Sequence, residues 1–141
     1  MSDVYDTFGT LLKRGDGGSP TETFATIAGV GDIDALEQRL EFEEYLTHDQ
    51  AAPVMRRKAT VRDNGPLPFK LYWDPSDAVH VLLRSDLTSR TLRNFQLVEP
   101  FTGGETGDFA ALVVKIGKPY PVKGLMAADV ELAIDGDITW S

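Results

Sequence analysis

The sequence predicts a mainly β domain, sandwich-like or barrel-like, with one short flanking α-helix and one long loop. Three observations predict it. Apolar residues recur with a period of two in several short segments. Glycine, proline and aspartate cluster between those segments, as turns require. Only one stretch combines helical spacing with a capping signal.

Taken in order, Tyr5 to Lys13 and Glu22 to Val30 are Thr- and Phe-rich strand candidates. Arg14-Gly15-Asp16-Gly17-Gly18-Ser19-Pro20 between them is turn chemistry, because glycine reaches positive φ and proline fixes its own. From Leu40 to Leu46 the pattern alternates: Leu40, Phe42 and Leu46 on one side, Glu41, Glu43 and Tyr45 on the other, with Glu44 interrupting the apolar side. Thr47 to Pro66 fits neither period and exceeds the ~12–15 residues usual for structureless loops, so it reads as a functional or a disordered loop. Leu67, Phe69, Leu71 and Trp73 then alternate against Pro68, Lys70 and Tyr72.

The helix begins at Asp74-Pro75-Ser76-Asp77, which offers an N-cap acid and a proline at the first helical position. Val79, Leu82 and Leu83 form its apolar stripe, with Ala78 and Leu87 at the edge and Arg84 toward the C-terminal end of the dipole. Thr91 to Glu99 is a further strand. Phe109 to Ile116 is apolar on both faces, which suits a central, covered strand. Finally Ala128, Val130, Leu132 and Ile134 alternate with Asp129, Glu131, Ala133 and Asp135, giving one buried and one acidic face, and Asp135-Gly136 reads as a turn.

The length of 141 residues predicts a single domain spanning 1–141. With 42% hydrophobic and 26% charged residues, the composition is that of an ordinary globular protein. A net charge of −8 opposes any role that depends on wrapping a phosphate backbone in cations. The absence of cysteine excludes disulfides, thiolate metal sites and a Cys nucleophile. The longest apolar run, Phe109 to Val114, is far short of the ~18 residues that span a bilayer, so no membrane insertion is expected. The acidic start, Met1 to Asp6, carries no leader-like apolar region.

Charge is unevenly spread. Residues 1–50 carry 11 acids and 3 bases, residues 51–123 carry 7 acids and 11 bases, and residues 124–141 carry 4 acids and no base. Arg56, Arg57, Lys58 and Arg62 form an acid-free basic run inside the long loop. An acidic body with one basic stretch can bind copies of itself through opposed potentials.

Chemistry is not visible. His80 near Ser76 and Asp77 lacks the strained elbow and glycine-rich oxyanion loop of a hydrolase, and His48-Asp49 reads as a surface pair. Two distant histidines make no zinc site, and no complete calcium loop follows the Asp-x-Asp pairs. The glycine pairs Gly17-Gly18 and Gly103-Gly104 read as hairpin connections, not phosphate cradles. Hence no enzyme, no cofactor and no metal is expected.

The order of these features resembles a known family. Phe8-Gly9-Thr10-Leu11-Leu12-Lys13-Arg14-Gly15-Asp16 with Phe24-Ala25-Thr26-Ile27-Ala28-Gly29-Val30-Gly31-Asp32-Ile33 is similar to the N-terminal hairpin of the tail-tube (major tail) proteins of long, non-contractile-tailed bacteriophages. Thr47-His48-Asp49 resembles the exit into that family's long loop. Leu71 to Asp77 with His80, Leu82 and Leu83 resembles its strand-to-helix junction, Asn94 to Leu97 its next strand, and Ala133 to Trp140 its closing strand-Gly-strand segment.

The resemblance implies a virion structural protein, made in the bacterial host cytoplasm and built into the tail. It also implies homohexameric rings stacked into a hollow tube that conducts DNA, with tape-measure, terminator and tip proteins as further partners. On that premise Glu41, Glu43, Asp129 and Glu131 are expected to line the bore and repel the duplex. The 47–66 loop, with Arg56, Arg57, Lys58 and Arg62, is expected to contact the next ring. Two other readings stand beside this one: another ring-forming tail part (a head–tail connector or terminator), or a carbohydrate-type binding module using Tyr72, Trp73 and Tyr120.

Overall fold

A computed structural model describes residues 4–141; Met1 to Asp3, the beginning of the acidic start, lie outside the described residues. Strands dominate, as the period-two segments require. They are β1 (Leu11–Gly15), β2 (Phe24–Thr26), β3 (Val30–Ile33), β4 (Leu40–Tyr45), β5 (Arg56–Arg62), β6 (Leu67–Leu71), β7 (Arg93–Val98), β8 (Thr106–Gly117) and β9 (Ala128–Trp140). The one helix among the described residues, α1 (Ala78–Ser89), lies between β6 and β7. Seven strands form one sheet in the order β2-β1-β7-β8-β9-β6-β3, every pair antiparallel, and β4 and β5 form a separate ribbon.

Alternation along each strand sends Leu12, Phe95, Phe109, Ala111, Val113, Val130, Leu132, Leu67, Phe69 and Leu71 to one buried face. Phe95 and Phe109, directly opposite in the register, stack at 6.0 Å between ring centres. Helix α1 closes this face against β8. Phe109 to Ile116 is central, as its composition predicts, with Phe109, Ala111 and Val113 buried and Ala110 and Leu112 half-buried; the cover expected on both faces ends at Val114 and Lys115, which are exposed.

The helix starts later than expected. Asp77, not Asp74, is its N-cap: the Asp77 Oδ1 accepts from the backbone N–H of Val79 (2.9 Å) and His80 (3.4 Å). Asp74 instead closes a tight turn, its Oδ1 accepting from Ser76 Oγ and Ser76 N, and those bonds hold its carboxyl below the usual range. The buried stripe is His80, Leu83 and Asp86; Leu82, expected inside, is exposed, and Arg84 stands mid-helix, not near its end. The helix stops at Arg90 in the left-handed conformation (φ 58°).

Two of those buried helix residues are polar, and both are satisfied. Asp74 N donates to His80 Nδ1 (3.0 Å), so Nε2 carries the proton and donates to Ala28 O (2.6 Å). His80 therefore staples the helix start to the segment before β3 and is no catalytic base. Asp86, 2% exposed, accepts a forked pair from Arg14 (2.7 and 2.9 Å) and a third bond from Arg93 Nε (3.1 Å). Arg14, expected in the surface turn, is a β1 residue only 5% exposed.

Three further expectations change. The 47–66 segment is not one loop, because Arg56–Arg62 is strand β5. The alternating segment Leu40–Tyr45 has no buried face: all six residues are exposed. Asp135-Gly136 is no turn between strands. Gly136, at φ +84°, sits in a bulge within the continuous strand β9, where the register with β8 shifts between Asp108–Thr139 and Ala110–Asp135.

Candidate assembly surfaces

Strands β4 and β5 make an arm. Phe42 stands opposite Ala59, Glu43 opposite Lys58, Glu44 opposite Arg57 and Tyr45 opposite Arg56. The root is tied to the β9 bulge: Arg62 pairs with Asp137 at 2.8 Å, and Asn64 Nδ2 donates to Gly136 O at 2.6 Å. The tip, residues 46–55, is organised by Gln50, whose side chain accepts from Thr47 N (2.9 Å) and donates to Val54 O (2.8 Å). His48 lies exposed in this tip.

The four basic residues expected on a free loop therefore stand on a strand facing an acidic one. Arg57 Nε donates to Glu44 Oε1 at 3.0 Å, and its guanidinium lies 5.8 Å from the Phe42 ring centre. Arg56 stands at 5.8 Å over Tyr45. Lys58 faces Glu43, and Arg62 is held by Asp137. Two of the four cations thus face acids of the arm itself, Arg62 is tied to β9, and Arg56 has an aromatic ring opposite it. The arm's uncompensated surface is apolar: Leu40, Phe42, Leu46, Val54, Met55 and Val61 are all exposed. A two-stranded ribbon is marginal in water on its own, and exposed apolar clusters of this kind mark contact surfaces.

The second surface is the wet face of the seven-stranded sheet. Asp129 stands across from Lys70, and Glu131 across from Lys115. Lys13, Asp108 and Asp135 share this face by register. Asp32 and Asp34 border Lys70, Lys115, Asp129 and Glu131 on it, so acids outnumber bases and the face is anionic. Glu41 and Glu43 do not join it. They belong to β4, on the other sheet, and the four carboxylates expected on one surface are divided between two.

The module reading fares poorly at its centre. Trp73 is buried, with Arg84 and Lys118 at 4.6 and 4.5 Å from its ring centre, so it cannot offer a flat face to a sugar. Lost hydration, and then the charge of Arg84, lowers the pKa of Lys118 below the usual lysine range. Among the described residues no group of three His, Asp or Glu is placed to hold a metal ion, and no helix is long and apolar enough to cross a membrane.

Sequence reasoning missed β5, the buried Arg14–Asp86 pair and the exposed apolar loop between β8 and β9. An acid-free run holding two lysines and two prolines, Lys118 to Met126, was the available signal for the last.

No protein-family model matches the chain, and no curated protein matches it. Solved structures do. A chain in the tail of an empty gene transfer agent particle, determined with C6 symmetry, superposes with a TM-score of 0.77 at 16% identity over 98% of this chain and 99% of that one. A chain of the sheath/tube terminator of an extracellular contractile injection system gives 0.74 at 9%, covering 99% and 98%. The SPP1 tail tube gives 0.68 at 9%, covering 93% and 75%. The chain has the tail-tube fold, and these neighbours are structural parts of tails and tubes.

Proposed function

We propose that this chain is a structural subunit of a tail-type tube, in which six copies form a ring and rings stack into a hollow conduit for DNA. The arm carries the reading. Thirteen strand residues, β4 and β5 together, are exposed in the single chain, and their apolar side chains gain cover only against another molecule. The arm, with Arg56, Arg57, Lys58 and Arg62 on β5, is the contact to the next ring. The fold likeness to a C6-symmetric particle tail supports six copies per ring.

The bore is the wet sheet face bearing Asp129 and Glu131. The opposite face is filled by the core and α1, so only this one is open to a lumen. Duplex DNA carries about one negative charge per 1.7 Å, and cationic walls would hold it by releasing counterions. A face on which acids outnumber bases avoids that trap. Glu41 and Glu43 serve the arm, where Glu43 balances Lys58. The tube belongs to a long non-contractile tail, as the sequence motifs suggest; a sheath layer around native tubes would replace this with a contractile tail.

A second reading has its own support, the likeness to a sheath/tube terminator. A terminator forms one closed ring and stops. Electron microscopy of the purified chain across a concentration series separates the two. Stacked rings that lengthen with concentration are the expected result. Single rings that never stack would assign the terminator role, and a monomer at every concentration and salt would refute both.

A further inference from the structure

We infer that the β8–β9 loop of one copy plugs an acidic groove on a neighbouring copy. This contact rests on the self-assembly reading above but differs from the arm. The groove has a volume of about 780 Å³, and its fourteen lining residues include Asp6, Asp32, Asp34 and Glu99 and no base. Apolar Phe8, Leu97 and Phe101 form its floor and lip, with Phe101 stacked on Tyr5 at 4.2 Å. Asp32 and Asp34 are exposed and form no ion pair among the described residues. Four carboxylates around an apolar trough call for a ligand that is cationic and apolar at once.

The chain itself carries such a segment. Residues 116–127 contain no acid, while Lys118 and Lys123 flank Tyr120 and Val122, and Leu125 and Met126 follow. These apolar side chains project into solvent, with Tyr120 80% and Val122 104% exposed. The loop is held ready. Pro119 and Pro121 restrict it, and Lys118 pins its root by lying 4.5 Å from the Trp73 ring centre. Restricting a binding segment beforehand lowers the entropy lost on docking.

The contact with the apolar lip must run between copies. The loop leaves β8 at Gly117, whereas the Glu99–Phe101 lip adjoins the Thr106 end of the same strand. At ~3.3 Å per residue those ends are about 35 Å apart. A tethered loop of this length reaches out about half its contour, roughly 15 Å. It therefore cannot fill the apolar lip of its own groove. The Asp32–Asp34 edge of the groove borders Lys115 and Asp129 near the loop's own root, so it is the distant apolar lip that needs the loop of another copy. A loop on one copy seated in a groove on another is a heterologous contact, the kind that builds rings and filaments.

Two sets of substitutions test this, all at exposed positions. The groove variant is Asp32→Lys with Asp34→Lys; the loop variant is Val122→Ser, Lys123→Glu and Leu125→Ser. Thermal melts matching the unaltered chain establish that both fold. Each variant alone should need at least tenfold more protein to assemble. Mixed in equal amounts they should form a one-to-one dimer, because the groove variant keeps its loop and the loop variant keeps its groove. Assembly of the groove variant at the ordinary concentration, or folded variants that never pair, overturns the contact while leaving the tube reading intact. A chain that never assembles, even unaltered, overturns the tube reading itself.

Discussion

Replacing Asp86 with alanine is expected to lower the unfolding free energy by about 3–5 kcal/mol, which a denaturant titration would read as a lower midpoint. Asp86 is the sole carboxylate bonded to Arg14 and Arg93 among the described residues, and Arg14 is buried with it. Removing the acid leaves a desolvated guanidinium with no counter-charge, which is far worse than losing the pair outright. Substituting Arg14→Met and Asp86→Leu together should therefore recover much of the loss. A double variant no more stable than Asp86→Ala would show that the pair does not act as a unit. The effect matters for assembly because the pair bolts β1 to α1 across the sheet's buried face.

The second large effect falls on association and spares the subunit. Leu46→Ser with Val54→Ser at the arm tip should leave the melting curve nearly unchanged, since exposed positions away from caps and networks usually shift stability by within about ±0.5 kcal/mol. Burying a side chain of this size contributes ~1.5–3 kcal/mol, so losing two should weaken stacking by more than about a hundredfold. Sedimentation of single rings where the unaltered chain gives long tubes is the expected result. Tubes of normal length would remove the arm tip from the inter-ring contact. Because Arg57 and Lys58 face the arm's own acids and Arg62 is paired with Asp137, added salt should matter less than these two apolar substitutions.

Legibility in the sequence followed burial. Leu67 to Leu71 and Ala128 to Ile134 were readable because one face is covered and the other wet, which writes a period of two into the chain. The helix was readable from its apolar residues, but its start was ambiguous: Asp74 and Asp77 are both acids suited to capping, and only geometry shows Asp74 spent on Ser76. Strand β5 was unreadable as a strand because neither face is buried, so Arg56-Arg57-Lys58 carries no alternation and looks like a loop. The partnership of Arg14 with Asp86 spans 72 positions and leaves no local trace. Trp73 was readable as core from its place on the apolar side of its strand.

The same logic divides the candidate site. Asp129 and Glu131 were identifiable as a wet face because their neighbours Ala128, Val130 and Leu132 are buried. Glu41 and Glu43 looked alike in sequence, since apolar residues alternate with them too, yet those apolar residues are exposed on the arm. Only the pairing of β4 with β5 distinguishes a strand that borders a core from one that waits for a partner molecule.

An image reconstruction of the assembled chain tests the central claim most directly. The account predicts six-fold rings with Asp129 and Glu131 facing the bore and the β4–β5 arm seated on the adjacent ring. A reconstruction with the wet sheet face turned outward, or with the arm extending into solvent from an otherwise complete wall, would contradict it.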